Sequence, residues 1–89
     1  MTVTAEISLY PLAKEYEAPI ILFIKKLKEQ STIKVLTHSM STYVFGEGKD
    51  VFTTINSALE VVDNQGFTAS LVLKVINKPL PVDAGFLDF

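Results

Sequence analysis

Hydrophobic and polar residues alternate near the start of the sequence. Four apolar side chains fall on one side of this segment and four polar or amphipathic ones on the other: Val3, Ala5, Ile7 and Leu9 against Thr4, Glu6, Ser8 and Tyr10. A period of two residues is typical of a half-buried strand. Pro11 should end this strand, because proline has no N–H to donate to a neighbouring strand.

Two later segments repeat their apolar residues at helical spacing. We expect one helix from about Pro19 to Gln30 and a second from about Lys49 to Gln65, with Gly66 as a left-handed cap. Their apolar stripes follow the i, i+3, i+4, i+7 pattern of a helix that packs on a core. These stripes are Ile20, Phe23, Ile24 and Leu27 in the first helix, and Phe52, Ile55, Leu59 and Val62 in the second.

Three further segments have the composition of strands. They run over Thr32–His38, Ser41–Gly46 and Thr68–Ile76, and the short Ser39–Met40 link between the first two predicts a hairpin. The element order is then βαββαβ. This order predicts an α+β, ferredoxin-like fold, in which two helices cover one face of a four-stranded antiparallel sheet.

The predicted domain covers residues 1–78, and residues 79–89 form an apolar tail. Pro79 and Pro81 prevent a helix there, and five side chains are too apolar for a solvated end: Leu80, Val82, Phe86, Leu87 and Phe89. Two interpretations are open. The tail packs on its own domain, or it packs on a partner subunit.

The composition and charge of the chain exclude several classes of function. The 89 residues include no cysteine, their eight basic residues are all lysine, and the formal net charge is −2. The lack of arginine and the acidic balance argue against binding to nucleic acid or to anionic lipid. No targeting signal or membrane segment is visible, so we expect a cytoplasmic protein. The sequence has one histidine, His38, and the neighbouring serines are poorly placed for catalysis with it because adjacent strand residues point to opposite faces. We therefore predict no enzyme activity, metal site or cofactor.

The sheet face away from the helices carries the candidate functional residues. Glu6, Ser8 and Tyr10 should lie there, and the small Val44 suits the helix side, which places Tyr43 and Phe45 on the open face. Exposed aromatic side chains of this kind usually mark a partner or a ligand. In the opposite interpretation, Tyr43 and Phe45 belong to the core and Val44 is outside.

Two segments carry a resemblance to a known family. Residues 3–12, Val-Thr-Ala-Glu-Ile-Ser-Leu-Tyr-Pro-Leu, and residues 40–47, Met-Ser-Thr-Tyr-Val-Phe-Gly-Glu, resemble the thiamine-binding proteins of the YkoF-like type. The likeness extends from about Val3 to Asn77. It implies a ferredoxin-like domain that binds thiamine or its hydroxymethylpyrimidine part without catalysis, in the cytoplasm. It also implies a homo-oligomer, a dimer or tetramer, that assembles through its open sheet face.

Carried onto this sequence, the resemblance implies a ligand site on the first strand and the hairpin. The expected contacts are Glu6, Ser8, Tyr10, His38, Ser39, Met40, Ser41, Thr42 and Phe45. A carboxylate and aromatic faces suit the thiazolium cation of thiamine, whereas the missing arginines argue against its diphosphate. Two alternatives are open. Glu6 pairs with Lys74 across the sheet as a structural contact, or the open face serves a protein-interaction or regulatory module through oligomerisation alone.

Overall fold

A computed structural model describes residues 1–80 of the chain. Its strands and helices follow the βαββαβ order predicted from the sequence. They are β1 (Thr2–Pro11), α1 (Glu17–Lys28), β2 (Ile33–Thr37), β3 (Thr42–Glu47), α2 (Gly48–Asn64) and β4 (Ala69–Ile76). The four strands form one sheet in the order β2-β3-β1-β4, with every neighbouring pair antiparallel. The predicted ferredoxin-like fold is confirmed.

The core lies between the sheet and the two helices. Each strand contributes every second side chain to it, because successive side chains of a strand point to opposite faces. The buried apolar residues are Val3, Ala5, Ile7, Ile33 and Val44 from the sheet, with Phe23 and Leu27 from α1 and Val51, Ile55, Ala58 and Val62 from α2.

The predicted stripe of α2 is wrong at one end. The sequence pattern puts Phe52 in the core, but 45% of its surface is exposed, and the buried residue is its neighbour Val51. A step of one residue rotates a helix position by about 100°. Because Phe52, Ile55, Leu59 and Val62 also fit a helical spacing, the sequence alone could not distinguish this register from the one centred on Val51.

The two helices begin earlier than predicted: α1 begins at Glu17 rather than Pro19, and α2 begins at Gly48 rather than Lys49. The Glu15 carboxylate accepts hydrogen bonds from the amides of Glu17 (3.1 Å) and Ala18 (3.3 Å), so it satisfies donors that the first helical turn leaves unpaired. Pro19 is therefore the third helical residue. At the far end of α2, Gly66 has a φ of 82°, which confirms the predicted left-handed cap.

The hairpin between β2 and β3 turns at the predicted Ser39–Met40 link, although β2 ends at Thr37 and β3 begins at Thr42, each one residue short of the prediction. The amide of His38 donates to the carbonyl of Ser41 over 2.9 Å, which closes the turn around both residues. The side chain of Met40 projects from the tip and is 91% exposed. Residues 38–41 therefore project beyond the sheet, and we call them the hairpin lobe.

Thr4 ties the end of the described chain to the open sheet face. Its Oγ1 donates to the Lys78 carbonyl and accepts from the Leu80 amide, each over 2.9 Å. Thr4 is 8% exposed although it points away from the helices. The predicted tail contacts at Val82, Phe86, Leu87 and Phe89 lie outside the described residues.

Candidate functional site

Side chains on the open face form rows across the strands. The register places Tyr43, Glu6 and Lys74 in one row, with Phe45 and Thr4 in the row towards the start of β1. Val44 is fully buried, so Tyr43 and Phe45 lie on the open face as the first interpretation predicted. We call one group on this face the open-face patch. It consists of Glu6, Ser8, His38, Ser41, Tyr43 and Lys74.

The Glu6 carboxylate is the charged centre of the patch. Its Oε2 accepts a hydrogen bond from Ser41 Oγ over 3.1 Å, and its Oε1 lies 3.7 Å from Lys74 Nζ. The Glu6 side chain is 39% exposed and that of Lys74 is 75% exposed. The cross-strand partner considered from the sequence, Lys74, is thus present, but solvent screens this ion pair and a competing cation can reach the carboxylate.

An aromatic pair lies beside this carboxylate. The rings of His38 and Tyr43 are 4.7 Å apart between centroids and tilted by 54°. Tyr43 also faces Glu6 directly across the β1–β3 ladder. The patch therefore combines an anion, a hydroxyl donor and two aromatic rings within neighbouring positions.

A cleft opens beside the patch, at the end of the sheet. The last β1–β3 pair is Ile7 with Thr42, whereas β1 continues to Pro11 against β4. The hairpin lobe and the first half of α1 enclose the space that β3 leaves, and we call this space the end cleft. It has a volume of about 240 Å³ and is lined by Ile7, Ser8, Leu9, Tyr10, Ile20, Phe23, Ile24 and residues 37–42.

Most of the residues expected from the sequence line this cleft. They are Ser8, Tyr10, His38, Ser39, Met40, Ser41 and Thr42, although Thr42 is 7% exposed and faces the helices with Ile7. Glu6 lies outside the cleft lining but contacts Ser41, which belongs to it. Phe45 lies on the open face, two residues further along β3 than Tyr43.

Sequence reasoning missed the contribution of α1. Ile20, Phe23 and Ile24 belong to the predicted core stripe, and they also form the apolar wall of the end cleft. The spacing of apolar residues along α1 indicates that this face of the helix is buried. It does not reveal that one end of the face extends past the end of β3. Tyr43, which the sequence pattern places on the open face, is not among the ligand contacts that the resemblance implies, although it lies directly opposite Glu6.

The described residues suggest neither a metal site nor a membrane segment. Within residues 1–80, no three histidine or acidic side chains gather closely enough to bind a metal ion. Neither helix in this part of the chain has the length and apolar character required to cross a lipid bilayer.

Together, these features define a ferredoxin-like domain with a polar and aromatic patch on its open sheet face and a cleft beside it. Residues 2–75 match the sequence profile of the YKOF-related family. The chain therefore belongs to that family. No functionally curated protein is similar enough to the chain to count as a relative.

Solved structures share the fold at low sequence identity. A hypothetical protein from Methanocaldococcus jannascii has a TM-score of 0.76 at 24% identity, covering 88% of this chain and 81% of its own. A protein from Streptococcus pneumoniae has a TM-score of 0.74 at 21% identity, with 93% and 94% covered. A Thermotoga maritima protein, assigned provisionally to thiamine biosynthesis or salvage, has a TM-score of 0.74 at 20% identity, with 88% and 85% covered.

Proposed function

We propose that this protein is a non-catalytic binding protein for thiamine or its hydroxymethylpyrimidine part, which acts in the cytoplasm. The observation that carries the proposal is the grouping of Glu6, Ser41 and Tyr43 on the open face, next to the end cleft. Membership of the YKOF-related family supports it, as does the similar fold of the Thermotoga protein with its provisional thiamine-related role.

The chemistry of the patch suits both halves of thiamine. An aminopyrimidine needs a surface for its ring and a few fixed donors and acceptors, which the hydroxyls of Ser8 and Ser41 and the wall of the end cleft supply. A thiazolium cation is attracted by the Glu6 carboxylate and by the face of Tyr43. To approach Glu6 closely, that cation has to displace the ammonium of Lys74.

The patch offers little for catalysis. His38 packs against Tyr43, and the carboxylate that contacts Ser41 is that of Glu6, so no acid stands behind a serine–histidine pair among the residues of the patch. A nucleophilic serine needs a base within hydrogen-bond distance and a third group that orients the base. We therefore propose binding without turnover.

A thermal-shift panel tests the proposal. The ligands are thiamine, its mono- and diphosphates and hydroxymethylpyrimidine, with uracil as a control pyrimidine that carries no amino group. A ligand that binds only the folded state must raise the midpoint of unfolding, by an amount that grows with its concentration. We expect thiamine and hydroxymethylpyrimidine to do so, and the diphosphate to bind more weakly because no arginine is present. No shift with either expected ligand at millimolar concentration would contradict the proposal.

We further propose that two or more copies assemble through their open faces. Val72 and Ile76 of β4 are 54% and 40% exposed on either side of Lys74, which is unusual for a strand fully exposed to water. Sedimentation at micromolar concentration should give a mass above 9.8 kDa. The Val72→Lys variant should shift the population to monomer, whereas the matched change on the helix side, Phe52→Lys, should not.

The assembly experiment also addresses the second candidate function, a protein-interaction module. Exposed apolar residues on β4 favour this candidate independently of any ligand. A chain that forms oligomers but gives no response in the ligand panel would support it.

A further inference from the structure

The main-chain groups of β1 alternate between its two neighbours. At one end, the amide of Gly48 donates to the carbonyl of Met1 over 2.9 Å, on the β3 side. At the other end, the amide of Leu12 donates to the carbonyl of Thr68 over 2.8 Å, on the β4 side. The register is continuous along both ladders, so odd-numbered residues direct N–H and C=O towards β3 and even-numbered residues towards β4.

This alternation leaves the main-chain amide and carbonyl of Leu9 without a hydrogen-bonded strand partner. The β3 ladder ends at the pair of Ile7 and Thr42, and the next odd residue is Leu9. In the β4 ladder Leu9 faces Leu71 at a position where the two residues exchange no hydrogen bonds. Within residues 1–80, no turn, loop or side-chain group bonds to the amide or carbonyl of Leu9. Both groups therefore point into the end cleft, which Leu9 lines.

We propose that the main chain of Leu9 is the recognition element for the ligand. It would bind a flat heterocycle that carries an acceptor nitrogen next to an amino donor, the edge that an aminopyrimidine presents. The N–H of Leu9 donates to the ring nitrogen, and its carbonyl accepts from the amino group. Ile20 and Ile24 of α1 offer the apolar surface on which the ring lies.

Pro11 explains why a small molecule fits this edge better than a peptide strand. A strand that extends the sheet needs a series of donors and acceptors on its partner. The odd residue after Leu9 is Pro11, which has no N–H. The free edge therefore offers one complete donor–acceptor pair, which matches one heterocycle and is too short to hold a strand.

The proposal rests on the proposed function for its natural ligand, but it can be tested with simpler probes. Uniformly ¹⁵N-labelled protein is titrated with 4-aminopyrimidine and, separately, with unsubstituted pyrimidine and 4-(dimethylamino)pyrimidine. The last two probes lack the amino donor. Amide shifts and hydrogen-exchange rates are followed at Leu9, with Ile7, whose amide belongs to the β3 ladder, as internal reference. The wild-type chain serves throughout, so loss of folding cannot confuse the result.

We expect 4-aminopyrimidine to shift the Leu9 amide and slow its exchange, with the two probes that lack the donor binding about tenfold more weakly. Equal binding of the three probes, or binding that moves Glu6 and Tyr43 while Leu9 stays unchanged, would overturn the proposal. The same titration with hydroxymethylpyrimidine and thiamine separates the two ideas. If 4-aminopyrimidine protects Leu9 but these two ligands do not bind, the main chain of Leu9 binds aminopyrimidines as proposed here, and the proposed function in binding thiamine or hydroxymethylpyrimidine is wrong.

Discussion

The ring of His38 packs against the ring of Tyr43, with 4.7 Å between their centroids and an angle of 54° between their planes. His38 is the first residue after β2, and Tyr43 lies inside β3. The contact therefore fixes the hairpin lobe to the open face of the sheet. Because the lobe forms one side of the end cleft, the shape of the cleft depends on this pair.

We predict a measurable coupling between these two rings. In a double-mutant cycle with His38→Ala and Tyr43→Leu, the interaction free energy should be about 0.5–1.5 kcal/mol, as for other tilted aromatic pairs. Urea unfolding of the four proteins measures it. Tyr10→Leu, at a more exposed tyrosine on the same face, is the control and should show no coupling to His38→Ala. Additive effects of the first pair would mean that the rings are neighbours without a stabilising contact.

The charge of Glu6 should distinguish thiamine from its neutral pyrimidine part. Glu6→Gln keeps the shape and removes the charge, so thiamine affinity should fall by about tenfold, which corresponds to roughly 1.4 kcal/mol. Hydroxymethylpyrimidine should lose less, because it carries no thiazolium cation. Calorimetric titration of both ligands measures the difference.

Asp63→Asn is the matched control for Glu6→Gln, since it removes one negative charge from the exposed surface of α2. Thiamine should bind to this variant as it does to wild type. If Glu6→Gln also leaves the thiamine affinity unchanged, Glu6 is a structural partner of Lys74 and Ser41, and the cation binds elsewhere.

Removal of the Thr4 hydroxyl should loosen the end of the described chain. Thr4→Val is nearly isosteric but loses the hydrogen bonds to the Lys78 carbonyl and the Leu80 amide. At about 0.5–1.5 kcal/mol for each bond, the free energy of unfolding should fall by roughly 1–3 kcal/mol. Thr53→Val, at an exposed position of α2, is the control in the same denaturant experiment and should change stability much less.

The pH dependence of stability should contain a contribution from Glu47. The N-terminal ammonium donates to this carboxylate and holds the pKa of Glu47 below its ordinary value of 4.5. A lowered folded-state pKa stabilises the protein at pH values above 4.5, and this stabilisation is lost as the pH falls through the folded-state pKa. Glu47→Gln should therefore lower the Tm slightly at pH 7 in low salt, and the difference should shrink as the pH falls through the folded-state pKa of Glu47.

Salt provides the check on that prediction. The pair is exposed, so 1 M NaCl should shrink the Tm difference at pH 7. A difference that stays constant as the pH is lowered and persists in high salt would show that the Glu47→Gln substitution perturbs the start of α2 in some way other than the loss of charge.

The alternation of β1 is the most informative part of the sequence. A half-buried strand places its polar residues on one face by geometry alone, so Glu6, Ser8 and Tyr10 could be assigned to that face from the residue pattern. The small Val44 between Tyr43 and Phe45 indicates the orientation of β3 in the same way. In α2, by contrast, two overlapping helical registers are possible, and the choice of Phe52 over Val51 is wrong.

The end cleft could not be predicted from the sequence. It depends on a difference in length between β1 and β3, and strand ends are set by pairing with a neighbour rather than by the local pattern. The wall that α1 contributes depends on how that helix is placed over the sheet. Lys74 could be predicted as a partner of Glu6 because it lies on the open-face parity of β4.

The position of β1 in the sheet has a consequence for synthesis of the chain. β1 is the first strand of this domain to be translated, yet in the folded sheet it lies between β3 and β4, whose partner residues follow about 40 and 65 positions later. Until residue 76 has emerged from the ribosome, the edge of β1 that pairs with β4 has no strand to cover it, and an uncovered edge is prone to pair with other chains. A nascent chain therefore has to protect its earliest strand until nearly the whole domain has been translated.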